Sequence, residues 1–134
     1  MKIEQLISPL DNRYNDKIAD LATNFSESNL NKVRFEIEIE WLIFLCSKGG
    51  KNFPALSKPN IKNLLALKNS FDEKSAKKIK SIEGKTNHDV KAVEYFIRDE
   101  LKKSSSLKRY EHLVHFALTS EDVNSLSYAI LMRD

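Results

Sequence analysis

Residues 28–48 carry the longest periodic apolar pattern in the chain, and this pattern restricts the fold more than any other feature. The apolar side chains recur at steps of three and four residues, which is the spacing of an amphipathic helix: Leu30, Val33, Ile37, Trp41, Phe44 and Leu45. Residues 35–41 also alternate with a period of two, which is typical of a strand. We predict a helix because the helical set continues on both sides of that stretch, whereas a strand usually has about 5–6 residues. Gly49 and Gly50 should end it.

Few residues interrupt helices elsewhere, since the 134 residues include only 3 Gly and 3 Pro, and this scarcity favours long helices over a many-turned β architecture. Periodicity and capping residues predict further helices at about 17–24, 61–68 (capped by Ser57 or Asn60), 72–83 (ended by Gly84), 86–101, 108–118 and 120–134. The sequence therefore predicts an all-α fold. The rhythm of the last helix continues to the terminus without Gly or Pro, which suggests a piece of a longer protein.

Charge, cysteine content and hydropathy exclude several classes of protein. The 22 Lys and Arg against 19 Asp and Glu give a net charge of +3, too small to indicate a nucleic-acid or membrane-surface partner. Cys46 is the single cysteine, which excludes an intrachain disulfide, and we expect it to be buried. No secretion signal opens the chain and no apolar run reaches about 20 residues, so we expect a cytoplasmic protein. The solvated face of the helix at 72–83 most simply accounts for Lys74, Lys77, Lys78 and Lys80.

Three short polar segments could bind an anion. In the first, residues 8–14, Arg13 offers a planar fork of donors for phosphate or carboxylate, and Tyr14 adds a hydroxyl and a ring. The alternative is a surface turn with an exposed arginine.

The second segment, residues 86–91, fits a helix start in which Thr86 and Asp89 form a capping box. The free backbone N–H groups of such a start attract anions, His88 could donate to a ligand or transfer a proton, and Lys91 adds charge. The alternative is an ordinary capped helix with a solvent-facing histidine.

The third segment, residues 119–124, repeats the pattern with Thr119 and Asp122, and there Ser120 and Asn124 could hydrogen-bond a ligand. The alternative is again a plain helix start.

Metal and cofactor motifs are not found in the sequence. His112 and His115 lie three residues apart, which is a spacing that metal sites use, but no Cys or further His joins them nearby, so we expect no metal site. The sequence has no P-loop, GxGxxG or GxSxG motif, and we expect no cofactor.

Taken in order, these segments resemble the adenylosuccinate lyases, a family of the fumarase/aspartase superfamily. The stretches that carry the resemblance are SPLDNRY at 8–14, TNHDVKAVEYF at 86–96 and HFALTSEDVN at 115–124. The similarity covers essentially the whole chain, which is the first third or less of such an enzyme. The resemblance implies an all-α fold with a small N-terminal helical domain, residues 1–106, ending at the serine-rich linker 104–106. Residues 107–134 would begin the central bundle of long helices, which assembles into a homotetramer.

The resemblance also implies a reaction and a set of contacts. Enzymes of the family release fumarate by β-elimination from adenylosuccinate, giving AMP, and from succinylaminoimidazole-carboxamide ribotide, giving the free carboxamide ribotide. The resemblance implies that Arg13 and Tyr14 contact the nucleotide and that Thr119 and Ser120 contact the succinyl part. It implies that Asn87, His88 and Asp89 lie near the reacting bond, where His88 orients the substrate. Ser125 departs from the family, which often has asparagine there.

The general base of the family is a serine on a mobile Gly/Ser-rich loop, and the general acid is a histidine well downstream of these segments. This chain contains neither, so the resemblance assigns it no catalytic residue beyond a supporting role for His88, and we expect no lyase activity from the chain alone. The alternative from another class is a non-catalytic helical interaction module derived from the same fold. A nucleic-acid binder would rest only on the net charge of +3 and on the lysine face at 74–80.

Overall fold

The computed structural model describes Ser8, Leu10 and residues 13–133, and within that part the regular structure is entirely helical. Its α-helices are α1 (Ala19–Phe25), α2 (Glu27–Lys48), α3 (Lys58–Lys68), α4 (Glu73–Thr86), α5 (Asp89–Lys102) and α6 (Ser120–Arg133), with 3₁₀ turns at Asn15–Lys17 and Lys108–Leu113. The all-α prediction is confirmed. No helix of the described part is both long enough and apolar enough to cross a bilayer.

The central element is α2, which packs against α1, α3, α4, α5 and α6. It begins after Ser26, whose hydroxyl accepts a hydrogen bond from the amide of Asn29 (3.2 Å), and it ends at Gly49, as predicted. The helix in this stretch is therefore confirmed, and the strand alternative is excluded. A helix of this length can contact several partners at once because its residues point in all directions around the axis.

The buried face of α2 differs from the predicted one. Val33 and Leu45 are buried as expected, but Phe44 is 54% exposed, and Ile37 and Trp41 are half-buried. The core cluster instead contains four other side chains of α2: Phe35, Ile39, Leu42 and Cys46. The physical reason is that α2 carries apolar residues on nearly every side, so that helical spacing alone does not select one face.

Helix α4 runs further than predicted. It begins after Asp72, whose carboxylate accepts from the amide of Ser75 (2.8 Å), but it continues through Gly84 and ends at Thr86. The residue that ends it is Asn87, which adopts the left-handed conformation (φ 50°) common at helix ends. Gly84 is tolerated in the last turns because a single glycine costs a helix only about 1 kcal/mol.

The segment between α5 and α6 joins the same core. Leu107, Tyr110, Leu113 and Val114 belong to the cluster that also holds Phe35 and the buried face of α5. The predicted helix at 108–118 is only partly correct, because the 3₁₀ turn ends at Leu113 and both His115 (φ 64°) and Ala117 (φ 60°) are left-handed. The division into domains at residue 106 stays a prediction.

Two smaller predictions concern single residue types. Cys46 is buried, as expected, and its burial raises the pKa of the thiol. The lysines of α4 lie towards solvent, with Lys74, Lys77 and Lys80 exposed. Lys80 pairs with Glu27 of α2 (2.7 Å) and with Glu83 (2.9 Å), so this face carries balanced charge.

Candidate functional site

The start of α5 is built differently from the predicted capping box. Thr86 is the last residue of α4, and its hydroxyl donates to the carbonyl of His88 (3.2 Å). The residue that caps α5 is His88, whose Nδ1 accepts from the amide of Lys91 (3.2 Å). The Thr86–Asp89 capping box is therefore wrong, because the left-handed turn at Asn87 separates the two helices at this point.

Capping fixes the tautomer of His88. Since Nδ1 accepts a backbone N–H, the neutral ring carries its proton on Nε2. The side chain is half exposed, and among the described residues Nε2 has no hydrogen-bond partner. The ring is thus arranged as a donor through Nε2, which suits orienting an anionic ligand better than accepting a proton.

The start of α6 agrees with its prediction. The backbone amide of Thr119 donates to Oδ2 of Asp122 (2.7 Å), and the amide of Asp122 donates to the hydroxyl of Thr119 (3.2 Å). The hydrogen bonds from Thr119 lower the pKa of the Asp122 carboxyl. This reciprocal pair leaves Ser120 as the first helical residue, half-buried at the helix start.

Arg34 joins the two helix starts. Its Nη2 donates to Oδ2 of Asp89 (2.7 Å), and its Nε donates to Oδ1 of Asn124 (3.0 Å). The Asn124 oxygen, which we expected to face a ligand, is therefore engaged with Arg34. The starts of α5 and α6, which carry two of the three predicted anion-binding segments, consequently lie side by side.

Sequence reasoning did not identify Arg34 as a site residue. A signal was present, since Asn31, Arg34 and Glu38 are polar residues at helical spacing within the apolar stretch of α2. All three are buried. Buried polar groups require hydrogen-bond partners. Arg34 and Glu38 find theirs on neighbouring elements, and Asn31 accepts from Arg34 on the same helix.

A second buried contact links α2 to the turn before α6. Both oxygens of Glu38 accept from His115: Oε2 from its backbone amide (3.1 Å) and Oε1 from its Nδ1 (2.5 Å). The hydrogen bond with Glu38 raises the pKa of the His115 imidazole, against the opposing effect of burial. Sequence reasoning treated His115 only as a partner of His112 for a metal. The described residues contain no cluster of His, Cys, Asp and Glu that could hold a metal ion.

Lys91 does not add an unpaired charge to the start of α5. Its ammonium group pairs with Glu94 (2.8 Å), a buried carboxylate that Arg98 contacts from the other side (2.7 Å). The expected contribution of Lys91 to an anion site is therefore reduced, because its charge is balanced one turn along the helix.

In the first predicted segment, residues 8–14, Arg13 contacts its neighbour Tyr14. The guanidinium of Arg13 lies 5.3 Å from the centroid of the Tyr14 ring, and both side chains are exposed. Three neighbours in that segment, Pro9, Asp11 and Asn12, lie outside the described residues. Since no hydrogen bond in the described part of the chain joins Arg13 or Tyr14 to α5 or α6, a common site for all three segments stays a prediction.

Comparison with known proteins gives one consistent result. No protein-family model matches the chain. Adenylosuccinate lyase of Escherichia coli K12 is 43% identical over 128 residues, which is 95% of this chain and 28% of that protein. The lyase of Legionella pneumophila Corby is 42% identical over 128 residues, again 28% of its length, and that of Vibrio cholerae is 40% identical over 129 residues. The chain spans about 28% of the length of these curated relatives. The resemblance found in the sequence is confirmed: along almost its whole length the chain is similar to adenylosuccinate lyases, and it corresponds to their N-terminal part.

Proposed function

We propose that the chain acts as the N-terminal part of an adenylosuccinate lyase and supplies substrate-binding groups to that enzyme. The reaction is the release of fumarate by β-elimination from adenylosuccinate, giving AMP, and from succinylaminoimidazole-carboxamide ribotide. The proposal includes a place in purine nucleotide biosynthesis, a cytoplasmic location, and a homotetramer for the full-length protein. The relatives support it through their names and through 43% identity over 128 residues.

The observation that carries the proposal is the junction of the α5 and α6 starts on Arg34. The substrate bears a phosphate and two carboxylates, and helix N-termini bind anions through free N–H groups and the positive end of the helix dipole. Two side-chain donors accompany these starts, Nε2 of His88 and the hydroxyl of Ser120. Two adjacent helix starts with such donors suit a ligand that carries several negative charges.

The proposed roles follow the resemblance residue by residue. Arg13 and Tyr14 would hold the nucleotide, and Thr119 and Ser120 would hydrogen-bond the succinyl carboxylates. Near the bond that breaks would lie Asn87, His88 and Asp89. Of these, Asp89 is engaged with Arg34, so its role would be to orient the helix start.

β-Elimination removes a proton from the carbon next to a carboxylate, and the electrons left behind break the bond to nitrogen. A positioned base and acid each contribute about 10²–10⁴-fold to such a step. The resemblance assigns neither group to this chain. We therefore expect the 134-residue chain to release no fumarate on its own.

A chimeric enzyme tests the proposal. In it, this chain replaces the aligned 128 residues of the Escherichia coli lyase, and fumarate release from adenylosuccinate is measured. We expect turnover by the chimera and none by the chain alone. Ser120→Ala in the chimera should lower kcat/KM by about 10–100-fold, because a hydrogen bond to a charged group is worth about 1.5–3 kcal/mol. Ser106→Ala, an exposed serine in the turn after α5, serves as the matched control and should change nothing.

Two results would contradict the proposal. Turnover by the isolated chain near the level of the chimera would show that the acid and base lie within it. A chimera that assembles as a stable oligomer yet releases no fumarate would favour the non-catalytic helical module instead.

A further inference from the structure

We infer that Arg34 is a positioning residue that fixes the starts of α5 and α6 relative to each other, and thereby the spacing between the donors of the proposed substrate site. The effect on catalysis rests on the proposed function. The geometry itself belongs to this chain and can be tested without it.

The contacts of Arg34 span three helices. Besides Asp89 and Asn124, its Nη1 donates to Oδ1 of Asn31 one turn earlier on α2 (3.2 Å), and only 4% of the residue is exposed. The three contacts thus use all three nitrogens of the guanidinium. The planar group holds its donors in a rigid fork, so the positions of Asp89 and Asn124 are set by one rigid body anchored on α2.

The partners show why this is more than a surface ion pair. Among the three partners of Arg34, Asp89 is the only carboxylate, and the pKa of its carboxyl group is lowered. Partial burial would raise this pKa, but the hydrogen bond from the amide of Val90 and the charge of Arg34 outweigh the effect of burial. The same carboxylate therefore stays ionised while binding its own helix start and Arg34. Asn124, in turn, lies one turn into α6, four residues after Ser120.

Lysine cannot reproduce this arrangement. Its ammonium group is a single point of charge on a flexible stem, so it can keep an ion pair with Asp89 but cannot hold Asn31 and Asn124 in the fixed directions of the guanidinium. Arg34→Lys therefore separates two roles. A stabilising charge would survive the change, whereas the alignment of the two helix starts would not.

The first experiment is amide hydrogen exchange on the 134-residue chain with Arg34→Lys and Arg34→Met. We expect exchange at residues 90–93 and 122–125, whose amides are hydrogen-bonded, to accelerate about tenfold or more in both variants, while α3 is unchanged. Lys68→Met is the matched control, since Lys68 also joins two helices through a carboxylate, Glu40 (2.6 Å), but lies away from both starts.

The second experiment measures kcat and KM in the chimera described above. We expect Arg34→Lys to retain more thermal stability than Arg34→Met but to lower kcat/KM by about 10–100-fold, because displacements near 1 Å at a reacting centre can cost about 100-fold. A purely structural role predicts that lysine restores stability and kcat/KM together, and that result would overturn the inference.

The two experiments keep the inference separate from the proposed function. An inactive parent chimera would refute the proposed function, and the exchange data would still decide the role of Arg34. Unchanged exchange at both helix starts in Arg34→Lys would refute the inference whatever the chimera does. If Arg34→Met does not fold, Asn124→Ala removes only the α6 acceptor and should accelerate exchange at the start of α6 but not of α5.

Discussion

Replacing Glu38 by glutamine should destabilise the chain by about 2 kcal/mol at pH 6, and by clearly less at pH 9. Glu38 is 1% exposed and accepts two hydrogen bonds from His115. Hydrogen bonds to charged groups contribute about 1.5–3 kcal/mol and neutral ones about 0.5–1.5. Loss of the charge therefore costs about 1 kcal/mol, and the glutamine amide, which places a donor where an acceptor stood, adds about 1 more.

The pH dependence follows from the direction of the His115 shift. The hydrogen bond with Glu38 raises the pKa of this imidazole; burial opposes the increase, the charge of Glu94 assists it and the charge of Lys91 opposes it. On the side of α6, Asp122 also faces the ring closely enough to feel its charge. A histidine with a raised folded-state pKa stabilises the fold fully below its unfolded value of about 6.5, and this contribution is lost as the pH rises through the folded value. Above that value the neutral ring can accept a hydrogen bond from the glutamine amide, so the variant loses less.

Urea unfolding at pH 6 and pH 9 measures the effect. With a slope of about 2 kcal/mol per molar urea, the expected loss at pH 6 lowers the midpoint by about 1 M. Glu40→Gln is the matched control: Glu40 lies two residues along the same helix in an exposed pair with Lys68, and its change should cost under about 0.5 kcal/mol at both pH values. Burial raises the pKa of the Cys46 thiol, and any effect of this group on stability at pH 9 is common to every variant. An equal loss at pH 6 and pH 9 would refute a charged His115 held by Glu38.

Three further predictions concern caps, glycines and the core. The hydroxyl of Ser57 caps α3 by accepting a hydrogen bond from the amide of Asn60. Ser57→Ala should therefore lower the free energy of unfolding in urea by about 1 kcal/mol. Gly84→Ala should stabilise the fold by about 1 kcal/mol, since a methyl group there meets nothing within 4 Å. Gly49→Ala should destabilise it by about 1–3 kcal/mol, because its Cβ would lie 2.5 Å from the Leu45 carbonyl and the Phe53 ring. Calorimetry should therefore show opposite shifts in Tm for the two variants. Ile39→Ala should lower the free energy of unfolding by about 2–5 kcal/mol, and Phe44→Ala should lower it by under about 1 kcal/mol. Equal losses in the two variants would contradict the buried face assigned to α2.

Local signals were sufficient to predict most helices. Ser57 and Asp72 cap α3 and α4 with their own side chains, Gly49 ends α2, and the reciprocal pair of Thr119 and Asp122 starts α6. Each of these signals involves residues within four positions of one another, so the sequence contains all of the information that the contact needs.

The errors arose where two local signals competed. Gly84 and Asn87 could both end α4, and the structure uses Asn87 in the left-handed conformation, which moved the start of α5 from Thr86 to Asp89. Along α2, apolar residues surround the helix, so Phe44 and Ile39 are equivalent in the sequence, although one is 54% and the other 0% exposed. Tertiary packing decides between them, since the core cluster that holds Ile39 also contains residues of α3, α4 and α5.

The candidate site shows the same division at a larger scale. The sequence located two helix starts with anion-binding character, but their contact depends on Arg34, which is 55 positions from Asp89 and 90 from Asn124. Glu38 and His115 are separated by 77 positions. No local pattern encodes such distances, yet the polar residues that make these contacts share one face of α2 with the core. A polar side chain in that environment is stable only if a distant partner satisfies it. Polar residues at helical spacing within an otherwise apolar helix therefore indicate which helix holds the separate parts of a site together, even though they do not identify the partners.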